Sequence, residues 1–119
     1  MAEKRTNLKD SVILITRKGM GSADLDLQER LLKSYLTLVE DANLLPAALC
    51  FYGDGVNLVV KGSGVIPQLT ALEEQGVYLL VCGTCIEHYG LADQVEVGIV
   101  GGMTDILEAQ LRADKVITI

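Results

Sequence analysis

The chain has 119 residues, of which 50% are hydrophobic, and a formal charge of −6, which indicates one folded domain and excludes a disordered chain. The acidity disfavours binding to nucleic acid, and the lack of any apolar run near the roughly 18 residues that span a bilayer disfavours a membrane partner. An odd number of cysteines, three, and a charged N-terminus without an apolar segment predict a cytoplasmic protein rather than a secreted disulfide framework.

Apolar strands and amphipathic helices alternate along the chain after a charged N-terminal extension, residues 1–10, so residues 11–119 are predicted to form the domain. The predicted strands are residues 11–16, 47–52, 77–82, 95–100 and 115–119. The predicted helices are residues 25–40, residues 67–76, a short piece that follows Cys85 and ends at about Tyr89, and residues 104–112. Ser22 or Asp24 is predicted to cap the first of these helices. Residues 56–60 fit either a minor strand or a loop. This order predicts an α/β fold whose parallel sheet is covered on both faces.

Functional residues of such a sheet collect beyond the carboxyl ends of its strands. The loops predicted at that edge are residues 18–22, 53–55, 83–85 and 101–104. Outside the cysteines, the candidate lining residues are Gly19, Met20, Gly21, Asp54, Gly55, Gly83, Thr84, His88 and Met103. Ordinary structural roles compete for each of them: turn glycines, an Asx turn at Asp54, gap-filling methionines and an exposed His88.

No cofactor is predicted from the glycine motifs. Gly19-Met20-Gly21 follows a strand, as a dinucleotide fingerprint would, but its third glycine is replaced by Asp24, an anion where a pyrophosphate would lie. A P-loop sequence is also lacking.

The chemically distinctive segment is Cys82-Gly83-Thr84-Cys85, at the end of the third predicted strand. A thiolate is the nucleophile in sulfur chemistry, and a second thiol three residues away can resolve a persulfide or close a disulfide. Gly83 lets the chain turn and is expected to leave the sulfur of Cys82 open to a partner. Two other interpretations stay open: a pair of small buried hydrophobic residues, or zinc bound with His88, although structural zinc usually takes four ligands. Cys50, inside a strand, is predicted to be core. The favoured interpretation is thiol or sulfur chemistry with Cys82 and Cys85 as the catalytic pair, and no metal site is predicted.

With this segment in place, nearly the whole chain after residue 10 resembles the DsrE/DsrF family of small sulfur-relay proteins, and within it the C-terminal domain of YedF-type proteins of selenium metabolism. Cys82-Gly83-Thr84-Cys85 followed by Tyr89-Gly90-Leu91 is the most specific part of the resemblance. Further matches are Gly19-Met20-Gly21, residues 49–56, residues 76–81, Val97-Gly98, Met103 and residues 113–117.

The resemblance implies a three-layer α/β/α fold with a mostly parallel five-stranded sheet, often in oligomers. It also implies that Cys82 carries sulfane sulfur as a persulfide between partner proteins, with Cys85 as the second cysteine of the YedF-like branch. Because the chain lacks the Cys-Pro motif of the YedF-type N-terminal domain, the sulfur donor is expected to be a separate protein.

Sulfur-relay activity is therefore the favoured function, with donor and acceptor proteins as partners. A non-enzymatic oligomeric module and a redox or metal sensor remain as alternatives, and the sequence leaves open whether the chain is an enzyme. The high apolar content of so small a chain also favours a homo-oligomer, because large apolar patches are rare on monomers.

Overall fold

The computed structural model describes residues 7–119, and the N-terminal extension predicted for residues 1–10 lies largely outside them. The strands are β1 (Ser11–Ile15), β2 (Ala48–Phe51), β3 (Tyr78–Cys82), β4 (Ile99–Gly101) and β5 (Lys115–Thr118). The α-helices are α1 (Leu25–Asp41), α2 (Ile66–Glu74), α3 (Gly83–His88) and α4 (Met103–Arg112). Two 3₁₀ helices, Gly53–Val59 and Ala92–Gln94, complete the fold. No helix within residues 7–119 is long and apolar enough to cross a membrane.

The five strands form one sheet in the order β4-β3-β2-β1-β5, and every neighbouring pair is parallel. The predicted α/β fold with a parallel five-stranded sheet is therefore confirmed. Because all strands run the same way, the carboxyl ends of β1, β2, β3 and β4 share one edge. The register places Cys82 opposite Gly101 at that edge, while Phe51 of β2 lies beside Val81 of β3.

The helices divide unequally between the two faces of the sheet. From β1 to β4 each crossover moves the chain one strand in the same direction, and right-handed crossovers place the connecting helices on one face. The return from β4 to β5 runs the opposite way, so α4 covers the other face alone. The resulting three layers match the architecture that the resemblance implied. Both faces of the sheet are covered, as predicted, and its edge strands stay partly open, since Ile99 and Val116 are 55% and 44% exposed.

The longest helix, α1, begins where the sequence predicts. Asp24 is its N-cap, and the Asp24 carboxylate accepts a hydrogen bond from the Leu27 amide at 3.0 Å. Leu32, Leu36 and Val39 follow the helical repeat and are buried against the sheet. Cys50 is fully buried in β2, as predicted.

Two segments differ from the prediction. The segment left open as a minor strand or loop, residues 56–60, is mostly the end of the 3₁₀ helix Gly53–Val59, and only Val60 pairs in an isolated bridge, with Val95. The fourth strand was predicted over residues 95–100 but begins only at Ile99. Gly98 explains the delay: its φ is +89°, which extended strands do not adopt, and its amide donates to a Glu73 carboxylate oxygen at 2.9 Å rather than to a strand.

Candidate functional site

The Cys82–Cys85 pair lies at the carboxyl edge of the sheet, where β3 ends and α3 begins. Cys82 is both the last residue of β3 and the N-cap of α3. Its Sγ accepts a hydrogen bond from the backbone amide of Cys85 at 3.4 Å, and a second from the Cys85 thiol at 3.0 Å. The strand-to-helix turn therefore brings the two sulfur atoms into direct contact.

The two cysteines differ in exposure, and this corrects one expectation. The glycine after Cys82 was expected to leave its sulfur open to a partner, but Cys82 is only 1% exposed, whereas Cys85 is half-buried. The first turn of α3 places the Cys85 thiol against the Cys82 sulfur. Of the two thiols, Cys85 is the one that solvent or a partner reaches.

A backbone amide from a second element also faces the pair. The Gly53 N–H, which follows β2, donates to Cys85 Sγ at 3.2 Å. Gly53 has φ +59°, a left-handed conformation that glycine adopts without steric cost, and this turn directs the chain into the 3₁₀ helix. The neighbouring Asp54 carboxylate accepts a hydrogen bond from the Tyr89 hydroxyl, at the end of α3, at 2.6 Å.

Burial raises the pKa of the Cys85 thiol, and the hydrogen bond to Cys82 raises it further. The Gly53 amide acts in the opposite direction, because it stabilises the thiolate. The resting Cys85 thiol is therefore protonated at neutral pH. Its proton points to Cys82 Sγ.

The remaining candidate residues occupy the same edge but have structural contacts of their own. Gly19 lies against the backbone of Gln28 in α1, and Gly55 lies against the backbone of Ile15, so neither leaves room for a Cβ. Gly83 packs against Gly101 of β4 in the same way. These three glycines bring the loops close to their neighbours, and their role in binding stays a prediction.

The candidate side chains around the pair are mostly exposed. Thr84 and His88 lie on the surface of α3, and the His88 ring packs edge-on against Tyr89 with a centroid separation of 5.1 Å. Met103, at the start of α4, is 53% exposed, and Met20 is partly buried against the core. Asp54, among the predicted residues, has the clearest link to the cysteines, through Gly53.

A hollow of about 410 Å³ opens between the end of β1 and the start of the 3₁₀ helix. It is lined by Arg17, Lys18 and Asp54 among others, so it lies beside the thiol site at the same edge. A second hollow, about 400 Å³, lies under α4 near the amino ends of β2 and β3, away from the cysteines. Across residues 7–119, no group of three His, Cys, Asp or Glu side chains is arranged to hold a metal ion.

Two site residues, Gly53 and Tyr89, were not among the predicted ones. A signal for Tyr89 was present, because it follows Cys85 by four residues and so shares its face of α3. Gly53 directly precedes Asp54 at the end of a strand, but only the tertiary structure shows that its amide meets a sulfur atom.

Comparison with solved structures supports the fold. The YchN protein of Escherichia coli has a TM-score of 0.67 and 23% identity, with 92% of this chain and 99% of that chain covered. The protein MTH1491 of Methanobacterium thermoautotrophicum, of unknown function, has a TM-score of 0.67 and 21% identity, with 93% and 99% covered. The protein BT1422 of Bacteroides thetaiotaomicron, also of unknown function, has a TM-score of 0.64 and 18% identity, with 92% and 95% covered.

No protein with a curated description matches the chain. A family model does match, over residues 10–119, which include every strand, every helix and all three cysteines. The chain therefore belongs to the DsrE/DsrF-like family.

Proposed function

We propose that this chain is a sulfur-relay protein that carries sulfane sulfur on the Cys82–Cys85 pair. The observation that carries the proposal is the 3.0 Å separation of two thiol sulfurs at the carboxyl edge of the sheet, one half-buried and one enclosed. Membership of a family associated with sulfur relay supports it. Two adjacent thiols suit this chemistry, because one can receive a sulfur atom and the other can take it over.

The difference in exposure suggests the order of the two steps. Cys85 is the thiol that a donor reaches, so it attacks the terminal sulfur of a donor persulfide. The donor's S–S bond breaks, a new S–S bond forms on Cys85, and the donor leaves as a thiolate. The thiol proton of Cys85 passes to the donor thiolate as it leaves, so the step conserves protons.

The Cys82 sulfur then attacks the terminal sulfur of the Cys85 persulfide, and the proton of Cys82 passes to the Cys85 sulfur that leaves. The terminal sulfur moves to Cys82 and Cys85 is restored as a thiol, so the step needs no external oxidant or reductant. Enclosure of Cys82 then protects the persulfide from water and from stray thiols. The same exchange run in reverse delivers the sulfur to an acceptor thiol at the surface.

The test is to incubate the pure chain with a cysteine desulfurase and cysteine, then to measure its intact mass. We expect a gain of one sulfur atom in the wild type and in Cys50→Ser, the matched control that removes the distant thiol. The gain is expected to be lost in the double variant Cys82→Ser, Cys85→Ser. An unchanged gain in the double variant, or no gain in the wild type with any persulfide donor, would contradict the proposal.

A redox sensor is the second candidate function, because two sulfurs in contact can also form a disulfide. Mild oxidation with a disulfide reagent would then remove two hydrogens from the chain without adding sulfur. A third candidate, a non-catalytic oligomeric module, is favoured by the enclosure of Cys82. It predicts that neither cysteine exchanges sulfur with a donor, which the mass measurement above also decides.

The proposed partners are separate donor and acceptor proteins in the cytoplasm, where thiols stay reduced.

We also infer self-association from the apolar surface on the face of the sheet that α4 covers. Tyr78 and Ile99 of the sheet are 63% and 55% exposed there, and Leu107 and Leu111 of α4 are 53% and 77% exposed. A second copy of the chain would cover these side chains. Light scattering is expected to give a mass above one chain, and Leu111→Glu is expected to lower it.

A further inference from the structure

Two hydrogen bonds run side by side between α3 and the 3₁₀ helix Gly53–Val59. One joins the Gly53 amide to Cys85 Sγ at 3.2 Å, and the other joins the Tyr89 hydroxyl to Asp54 Oδ1 at 2.6 Å. Gly53 and Asp54 are consecutive, and Tyr89 lies one helical turn after Cys85. The second bond therefore spans the same gap as the first, further toward the surface.

We propose that Asp54 and Tyr89 are positioning residues for the thiol site, whose hydrogen bond holds the Gly53 amide on the sulfur of Cys85. The inference deepens the proposed function, and it rests on that function only for the identity of the reaction. Neither residue touches a reacting sulfur in this arrangement, so their effect passes through the Gly53–Asp54 peptide.

Other contacts hold part of this turn, since Asn57 donates to the Asp54 carbonyl at 3.0 Å and Gly55 lies against Ile15, but they do not tie it to α3. Gly53 is in the left-handed region, and no side chain caps the 3₁₀ helix that follows it. Asp54 is exposed, so packing does not hold its side chain in place. Within residues 7–119, the Tyr89 hydroxyl is the one side-chain donor to the Asp54 carboxylate, and it fixes that residue against α3.

The bond has a direct consequence for sulfur chemistry. Burial and the hydrogen bond to Cys82 disfavour the Cys85 thiolate, and the Gly53 amide is the contact that favours it. If the turn moves away from α3, that amide is lost while the unfavourable contributions remain. Cys85 would then be a weaker nucleophile at neutral pH, although its sulfur would be at least as accessible.

Three ionisable groups face Cys85 or its amide donor: Cys82 from β3, Asp54 from the 3₁₀ helix and Tyr89 from α3. Two variants separate the bond from the charge. Tyr89→Phe removes the bond and leaves the Asp54 charge in place. Asp54→Asn removes the charge but keeps a side-chain oxygen that accepts from Tyr89, so it serves as the conservative rescue of Asp54→Ala.

The experiment measures the iodoacetamide alkylation rate of Cys85 against pH, with the modified cysteine identified by tandem mass spectrometry. We expect Tyr89→Phe and Asp54→Ala to move the midpoint to higher pH and to slow alkylation near neutral pH about fivefold, the factor that one net hydrogen bond supplies. The limiting rate at high pH is expected to stay the same or rise. Asp54→Asn and the control Tyr78→Phe, an exposed tyrosine of β3, are expected to keep the wild-type midpoint.

A second measurement follows the bond itself. Donation to Asp54 raises the pKa of the Tyr89 phenol, so Asp54→Ala is expected to lower the pH at which that phenol ionises in ultraviolet difference spectra. Subtraction of the Tyr89→Phe titration isolates its signal. An unmoved Cys85 midpoint in Tyr89→Phe, or an unmoved phenol titration in Asp54→Ala, overturns the proposal.

The Cys85 midpoint and the sulfur loading test the positioning pair and sulfur relay separately. A shifted Cys85 midpoint without any sulfur loading leaves the positioning pair intact and refutes sulfur relay. Sulfur loading with an unshifted midpoint refutes the positioning pair and leaves sulfur relay intact.

Discussion

Alkylation of the native protein should distinguish its three cysteines by rate. With iodoacetamide at about pH 8, Cys85 is expected to react first, because it is half-buried, whereas Cys82 is 1% exposed and Cys50 is fully buried. Cys82 can react only when the first turn of α3 opens. Cys50 lies in a central strand, so it reacts only when the sheet itself opens.

The expected delay at Cys50 can be estimated from its ionisation. Burial raises the pKa of the Cys50 thiol to about 11. At about pH 8 such a thiol is ionised in about one molecule in a thousand, against about one in ten for a cysteine at the ordinary pKa of 9.0. Loss of thiolate alone therefore slows Cys50 about 100-fold relative to a free cysteine. Enclosure by the core adds to this factor.

The assay is a time course of alkylation, quenched and analysed by peptide mapping. The same reaction in denaturant is the control, and there all three cysteines are expected to react at similar rates. If Cys82 or Cys50 reacts as fast as Cys85 in the native protein, the assignment of Cys85 as the accessible thiol is refuted, together with the order of sulfur transfer derived from it.

Three further predictions concern stability. Because the unfolded chain ionises Cys50 near its ordinary pKa of 9.0 and the folded chain only near 11, the folded state loses stability as pH rises between these values, by about 2–3 kcal/mol over the window. Chemical denaturation of Cys50→Ala should show a shallower loss over the same pH range, and an equal slope would refute the buried thiol as its source. Gly53→Ala places a side chain at φ +59° and should lower the unfolding free energy by about 1–2 kcal/mol while slowing alkylation of Cys85 near neutral pH. Asp24→Ala removes the cap on the Leu27 amide and should cost about 1 kcal/mol in urea unfolding, whereas Asp26→Ala, two residues further on in the first turn, should cost less.

Features set by local sequence could be predicted well. The strand ending at Cys82 is a run of apolar residues bounded by glycine on both sides, and the cap at Asp24 precedes a clear helical repeat. The alternation of such segments was enough for a parallel sheet. It followed that the thiol pair lies at the carboxyl edge, since that edge is common to all parallel strands.

Features set by packing between distant segments could not be predicted. The enclosure of Cys82 depends on how the first turn of α3 folds back over it, which no local pattern reports. Tyr89 and Asp54 are 35 residues apart in the chain, so their hydrogen bond exists only once β2 and β3 are paired. The late start of β4 likewise reflects Gly98, whose amide bonds to Glu73 from α2 rather than to a strand.

In the proposed relay a sulfur atom moves from a donor to Cys85 and then to Cys82. The most direct test is a time course with a donor protein that already carries a persulfide. Persulfides formed on this chain are trapped by alkylation and located by tandem mass spectrometry. The extra sulfur should be found on Cys85 at early times and on Cys82 later, and in Cys82→Ser it should stay on Cys85. Extra sulfur that reaches Cys82 at an undiminished rate in Cys85→Ser would contradict this order of transfer, and extra sulfur on neither cysteine would contradict sulfur relay.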